Sequence, residues 1–150
     1  MVDQNIRILI FEDETLIAHD IKQTLKKIGF VNAKIAKDYN AAKSILEAYE
    51  PDLIFVDIQI GGSFDGLKLA DDCMQNNIPF IYITSYDDDE TIEKATKFGP
   101  IAYIIKPYRE GDLKAAIQIY RAKINHEKQV IINDGLKKYK IKLDNILFME

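Results

Sequence analysis

The chain has a single cysteine, Cys73. One thiol excludes an internal disulfide and a cysteine-built metal cluster, and the scarcity fits a reducing, cytoplasmic setting. Long apolar runs are missing too: no stretch approaches the ~20 residues needed to span a bilayer. The opening MVDQNIRILIF lacks a basic flank and a small-residue cleavage site, so no signal peptide and no membrane partner are expected. Positive charge is not in excess. A formal net charge of −4 gives no general attraction to nucleic acid or to an acidic membrane surface. No glycine-rich phosphate cradle precedes a helix, which excludes P-loop chemistry. Repeats and low-complexity segments are absent. His19 and His126 lie in helical patterns without metal-ligand partners and read as solvated.

What is present is an ordinary globular composition, 47% hydrophobic over 150 residues, enough for one domain or one domain and a fragment. Four short apolar runs each end in a residue with chemistry. Ile6 to Phe11 leads to Glu12 and Asp13, Leu53 to Val56 to Asp57, Phe80 to Ile83 to Thr84, and Ile101 to Ile105 to Lys106-Pro107. Such nearly continuous runs are typical of strands covered on both faces. Helical stripes separate them: Ile17, Ile21, Leu25 and Ile28; Ala42, Ile45, Leu46 and Tyr49; Leu67, Ala70 and Met74; Ile92 and Ala95; and Leu113, Ala116, Ile117, Tyr120 and Ile124. A short, half-polar run near Ala33 to Ala36 reads as an edge strand. The expected fold is α/β, a (βα)5 doubly wound parallel sheet in flavodoxin-like order 2-1-3-4-5, with ligands beyond the carboxyl ends of the strands.

Three carboxylates, a hydroxyl and an ammonium would then converge. Clustered carboxylates stay ionised only with compensation, and Mg²⁺, which takes oxygen ligands and keeps several waters, supplies it. Asp13 and Asp57 suit direct ligation, and the longer Glu12 suits contact through water. With Lys106, the site approaches neutrality and can receive a phosphoryl group. Asp57 is the candidate nucleophile, Lys106 can neutralise phosphoryl oxygens, and Thr84 can donate its hydroxyl to one of them.

The segments ILIFEDE, DLIFVDIQ, FIYITSY and AYIIKPY, with Asp65-Gly66 between the second and third, resemble the response-regulator receiver domain of bacterial two-component systems over about residues 5 to 125. The resemblance implies a phosphoprotein rather than a turnover enzyme, phosphorylated on Asp57 by a sensor histidine kinase. It implies Mg²⁺ held by Glu12, Asp13, Asp57 and the Gln59 backbone carbonyl, with Thr84 and Lys106 touching the phosphoryl group. Thr84 and Tyr103 would form the switch, Lys106-Pro107 would be a cis peptide, and Gln59 and Tyr86 would tune phosphoryl lifetime. A homodimer through the fourth helix, fifth strand and fifth helix is also implied. In place of a proline often found after the acceptor aspartate, the chain has Gly61-Gly62-Ser63-Phe64, read here as a more mobile loop.

After His126 the pattern changes. Gln129 to Asn133 and Lys137 to Leu143 flank Asp134-Gly135, a strong hairpin signal. The expected division is therefore 1–126, receiver, and 127–150, a short β-hairpin extension that starts a truncated β-rich domain. VIINDGLKKYKIKLDNILFME is similar to the opening of LytTR-type DNA-binding domains, which implies transcriptional output through a C-terminal domain beyond this chain.

Each signal has a plainer reading by itself. Glu12-Asp13 could serve only a helix N-terminus, Asp57 could be a cap, Thr84 a strand residue, Lys106-Pro107 a strand exit, and Tyr103 a core aromatic. Their ordered placement at strand ends favours the site. Among other functions, a stand-alone docking receiver without DNA binding stays open. A hydrolase would need an acid two residues after Asp57, where Gln59 stands. A flavin-binding protein would need a hydroxyl-rich phosphate loop where EDET places carboxylates.

Overall fold

In the computed structural model of the chain, residues 5–148 are described, with side chains through residue 129. Strands and helices alternate: β1 (Ile8–Phe11), α1 (Thr15–Lys27), β2 (Ala33–Ala36), α2 (Tyr39–Tyr49), β3 (Leu53–Val56), α3 (Asp65–Gln75), β4 (Phe80–Thr84), α4 (Asp89–Thr96), β5 (Ala102–Ile105) and α5 (Glu110–Phe148). All strand pairings are parallel and the order is β2-β1-β3-β4-β5, as the sequence pattern predicts. Each crossover carries a helix, because parallel neighbours cannot be joined by a tight turn.

Every residue of β1, β3 and β4 is buried. Alternate side chains point to opposite faces. Leu9, Phe11, Ile54, Val56, Phe80 and Tyr82 form one core with Ala42 of α2, Leu69, Ala70 and Cys73 of α3 and Ala95 of α4. Ile8, Ile10, Leu53, Phe55, Ile81 and Ile83 are equally buried on the other face, where α1 sets Ala18, Ile21 and Leu25. The α3 stripe is rotated from the expected one: Cys73 is buried and Met74 is exposed. The side chain of Asp38 accepts the Ala41 N–H at 2.8 Å and so starts α2.

The main departure is at the C-terminus. The expected hairpin at 129–143 is helix: α5 continues to Phe148. A helix already nucleated gains a hydrogen bond for each residue added, whereas an isolated two-stranded hairpin is marginal in water. Asp134-Gly135 is thus accommodated within a helix, where glycine costs only about 1 kcal/mol. The side-chain pattern of Lys137, Lys138, Lys140 and Lys142 lies outside the described side chains. The chain separates into compact units Met1–Ala116 and Ile117–Glu150, a boundary inside α5 and earlier than residue 126.

Candidate functional site

Register brings the site residues together. Phe11 pairs with Val56, and the Asp57 N–H donates to the Phe11 carbonyl at 3.0 Å, so Glu12 and Asp57 leave adjacent strands at one level. Thr84 pairs with Ile105, and the Lys106 N–H donates to the Thr84 carbonyl at 2.8 Å. Asp13, Asp57, Gln59, Thr84, Tyr86 and Lys106 line one cavity of about 320 Å³ beyond the strand ends. Glu12 lies behind it, with no exposed surface.

The Lys106 ammonium donates to Glu12 Oε1 at 2.6 Å and to Asp57 Oδ2 at 2.9 Å. Burial disfavours that ammonium, but its hydrogen bonds to Glu12 and Asp57 and their negative charges together outweigh it and raise its pKa above the ordinary lysine value. Glu12 is the opposite case. Burial pushes its carboxyl up to about 7, the Lys106 hydrogen bond pulls it down, and the charge of Asp57 adds to the rise. Its second oxygen accepts the Glu14 N–H at 3.1 Å, so both oxygens are already engaged.

Oxygens of Glu12, Asp13 and Asp57 lie within 4.8 Å of one another. An all-oxygen, net-negative set on an open polar cavity with room for waters fits a hard divalent cation that keeps part of its hydration. Asp13 and Asp57 would hold Mg²⁺ here, with Gln59 on the same cavity wall.

Two contributions escaped the sequence reading. The Gly61 N–H donates to Asp13 Oδ2 at 2.8 Å and fixes that carboxylate from the facing loop. The loop itself is pinned rather than loose. Ile60 and Ser63 exchange backbone hydrogen bonds at 2.8 and 3.0 Å around Gly61 (φ +59°) and Gly62 (φ +83°), a two-residue turn with positive φ at both positions. The Gly-Gly pair was the available signal. Gly66 is the second contribution. A Cβ there would lie 2.0 Å from the Asp57 carbonyl oxygen, so only glycine lets α3 start this close to Asp57.

Of the remaining expected residues, Thr84, Tyr86 and Gln59 line the cavity, whereas Tyr103 and Pro107 do not. The Thr84 hydroxyl is buried and accepts the Tyr86 N–H at 3.5 Å. The Tyr86 phenol donates to Gln59 Oε1 at 2.7 Å, and the Tyr103 phenol donates to the Tyr86 carbonyl at 2.7 Å. Burial, with the nearby charges of Asp88 and Asp87, lifts the Tyr103 phenol to about 12, so it remains a donor at neutral pH. The Lys106-Pro107 peptide is cis.

A parallel α/β sheet whose inner strand ends carry an acidic cluster bridged by one lysine defines the class. Residues 8–118 match the family described as "Response regulator receiver domain", and the chain belongs to that family. It is 32% identical over 114 residues to "Transcriptional regulatory protein PdtaR" of Mycobacterium tuberculosis, covering 75% of this chain and 55% of that protein. It is 31% identical over 121 residues to "Transcriptional regulatory protein MalR" of Bacillus subtilis, covering 79% and 51%. The chain thus spans about half the length of these relatives. Among solved structures, it is similar to the signal receiver domain of a modulated diguanylate cyclase from Desulfovibrio desulfuricans G20, with TM-score 0.68, 30% identity and coverage of 79% and 96%. A response regulator from Thermotoga maritima matches with TM-score 0.66, 26% identity and coverage of 76% and 96%. No described helix is long and apolar enough to cross a membrane.

Proposed function

We propose that Asp57 is a phosphoacceptor supplied by the phosphohistidine of a sensor histidine kinase. The observation that carries this is the Lys106 bridge: an ammonium 2.9 Å from Asp57 and 2.6 Å from a fully buried glutamate, at the back of an open polar cavity. An Asp57 oxygen forms the bond to phosphorus while the bond from phosphorus to the donor imidazole breaks, and that electron pair leaves with the imidazole nitrogen. Bound Mg²⁺, held by Asp13, Asp57, the Gln59 carbonyl and, through water, Glu12, would neutralise charge on the phosphoryl oxygens. Lys106 would exchange a carboxylate contact for a phosphoryl oxygen. Thr84 would donate its hydroxyl to another, and Tyr103 would respond to the movement of Thr84, a two-position switch driven by added charge. Tyr86 and Gln59 would set phosphoryl lifetime, with Tyr86 screening Asp57 from water.

The words "Transcriptional regulatory protein" in the names of the relatives support transcriptional output, through a further domain of LytTR or another type. Ile105, 41% exposed on edge strand β5, supports homodimerisation through α4, β5 and α5. Beside the acceptor cavity, Leu16 (86% exposed), Ile17, Pro107 and Tyr108 offer an apolar surface to a docking kinase. The reading is tested with acetyl phosphate and Mg²⁺, followed by intact mass, with Asp57→Ala alongside. One phosphoryl group gained, dependent on Mg²⁺ and absent from the variant, is the expected result. No gain despite bound Mg²⁺ would favour a docking module that has the fold without the switch.

A further inference from the structure

Tyr86 is tied down from three directions. Its phenol donates to Gln59, two residues beyond Asp57. Its carbonyl accepts from Tyr103. Its ring meets the edge of Phe64 at 5.4 Å between centroids, with the planes 83° apart. The first tie crosses from the β4–α4 loop to the β3–α3 loop, the two segments that flank the acceptor cavity. Tyr86, Gln59 and Gly62 line that cavity, and Phe64 does not. Phe64 is 48% exposed at the N-terminal boundary of α3, so little of its surface serves the core. A large aromatic left half in water is poorly explained by burial. Its perpendicular contact with Tyr86 is the favourable edge-to-face geometry.

We propose that Phe64 is a positioning residue: it keeps Tyr86 clasped to Gln59, closing one side of the cavity against water and against the attacking path to phosphorus. The Gly61-Gly62 turn makes this possible. By reversing the chain in two residues, it returns Ser63 to Ile60 and delivers Phe64 alongside the cavity wall. Phe64 acts through Tyr86, which it meets from outside the lining of the cavity. The inference rests on the phosphoacceptor reading and adds a residue to it.

The test compares the full chain with Phe64→Ala, Phe64→Tyr, Tyr86→Ala and the double variant. Each is loaded with phosphoramidate and Mg²⁺, and loss of the phosphoryl group is followed by intact mass after donor removal. Phe64→Ala is expected to shorten the half-life about two- to tenfold, the rate equivalent of one aromatic edge contact. Phe64→Tyr, which keeps the ring, should restore it. Tyr86→Ala should shorten it at least as much, and the double variant should be no shorter-lived than Tyr86→Ala alone, because Phe64 has nothing left to position. Mg²⁺ affinity should be unchanged in Phe64→Ala, which a general loosening of the fold would not allow. A half-life indifferent to Phe64 while Tyr86→Ala shortens it would overturn this inference alone, as would additive losses in the double variant. No phosphoryl gain in the parent chain would overturn the phosphoacceptor reading, and the inference with it.

Discussion

The three inner strands and edge strand β5 deliver their functional residues differently. β1, β3 and β4 are buried along their whole length and end in Glu12, Asp57 and Thr84, all held in place by neighbours on both sides. β5 has a neighbour on one side only, is partly exposed, carries Tyr103 and leads directly into Lys106. Glu12 and Asp57, which the proposed chemistry needs in place, follow strands bonded on both sides. Tyr103 and Lys106, which the proposed switch would move, lie on or just beyond an edge strand, and Thr84, which would move with them, ends the strand paired with it. Low local stability is where switching elements are drawn from, so under the proposed function the edge strand would supply the mobility and buried Thr84 would couple it to the interior.

The largest effect is expected from breaking the rigid side. Gly66→Ala places a methyl 2.0 Å from the Asp57 carbonyl oxygen, and the atom met is backbone rather than a yielding side chain. The expected cost is at least ~3 kcal/mol, the upper range of overpacking, with loss of phosphoryl uptake even where the chain still folds. Urea unfolding with phosphorylation measured in parallel checks both. A soluble, normally phosphorylated Gly66→Ala protein would show that α3 can shift without disturbing the acceptor.

Next is the bridge between the two regions. Lys106→Met removes the cation from Glu12 and Asp57, one of which is fully buried. Leaving buried charge unpaired costs up to ~3 kcal/mol, limited because Glu12 can take up a proton. Adding Glu12→Gln should recover part of that stability without restoring phosphoryl transfer, which separates the structural role of the bridge from its chemical one. Equal stability of the single and double variants would mean that Glu12 carries no charge for Lys106 to compensate.

The inner strands were legible because their apolar runs are unbroken and stop at polar residues, so strand order and the convergence of Glu12, Asp13, Asp57, Thr84 and Lys106 follow from topology. What escaped the sequence is of two kinds. Gly61 and Gly66 act through backbone approach, to which side-chain periodicity is blind, and Phe64 meets Tyr86 across 22 positions with no local signal. The hairpin after His126 failed for another reason: Asp134-Gly135 is a strong turn signal only where strands have a sheet to join, and there a continuing helix was the competitor. The α3 stripe was misplaced by one position because both Cys73 and Met74 are apolar enough to qualify.

Titration should separate the two regions more gently. Glu12 has its carboxyl raised to about 7 from 4.5, chiefly by burial. A folded state that holds a proton more tightly than the unfolded chain is favoured at low pH. The Glu12 contribution is therefore fully present below about 4.5 and is lost as pH rises through about 7. In chelator, the stability difference between the parent and Glu12→Gln should move in that window and level off above it. Mg²⁺ binding favours the ionised site, so its affinity should rise with pH up to about 7 and then flatten. Calorimetry at several pH values measures this, and a flat profile would mean that Glu12 is already ionised before the metal arrives.

The smallest expected effect lies at the edge strand and says most about the proposed switch. Tyr103→Phe removes one hydrogen bond, from the phenol to the Tyr86 carbonyl, and leaves the ring beside Tyr82 at 5.4 Å. Stability should fall by only about 1 kcal/mol, as for one neutral hydrogen bond. The same deletion frees the backbone at Tyr86, which carries the phenol bonded to Gln59. If the edge strand is the moving part, this variant should shift the balance between the two Tyr103 positions far more than it shifts unfolding, and hydrogen exchange should accelerate in the β4–α4 loop while β1 and β3 stay protected. Uniform acceleration across all five strands would erase the distinction between a rigid interior and a switching edge.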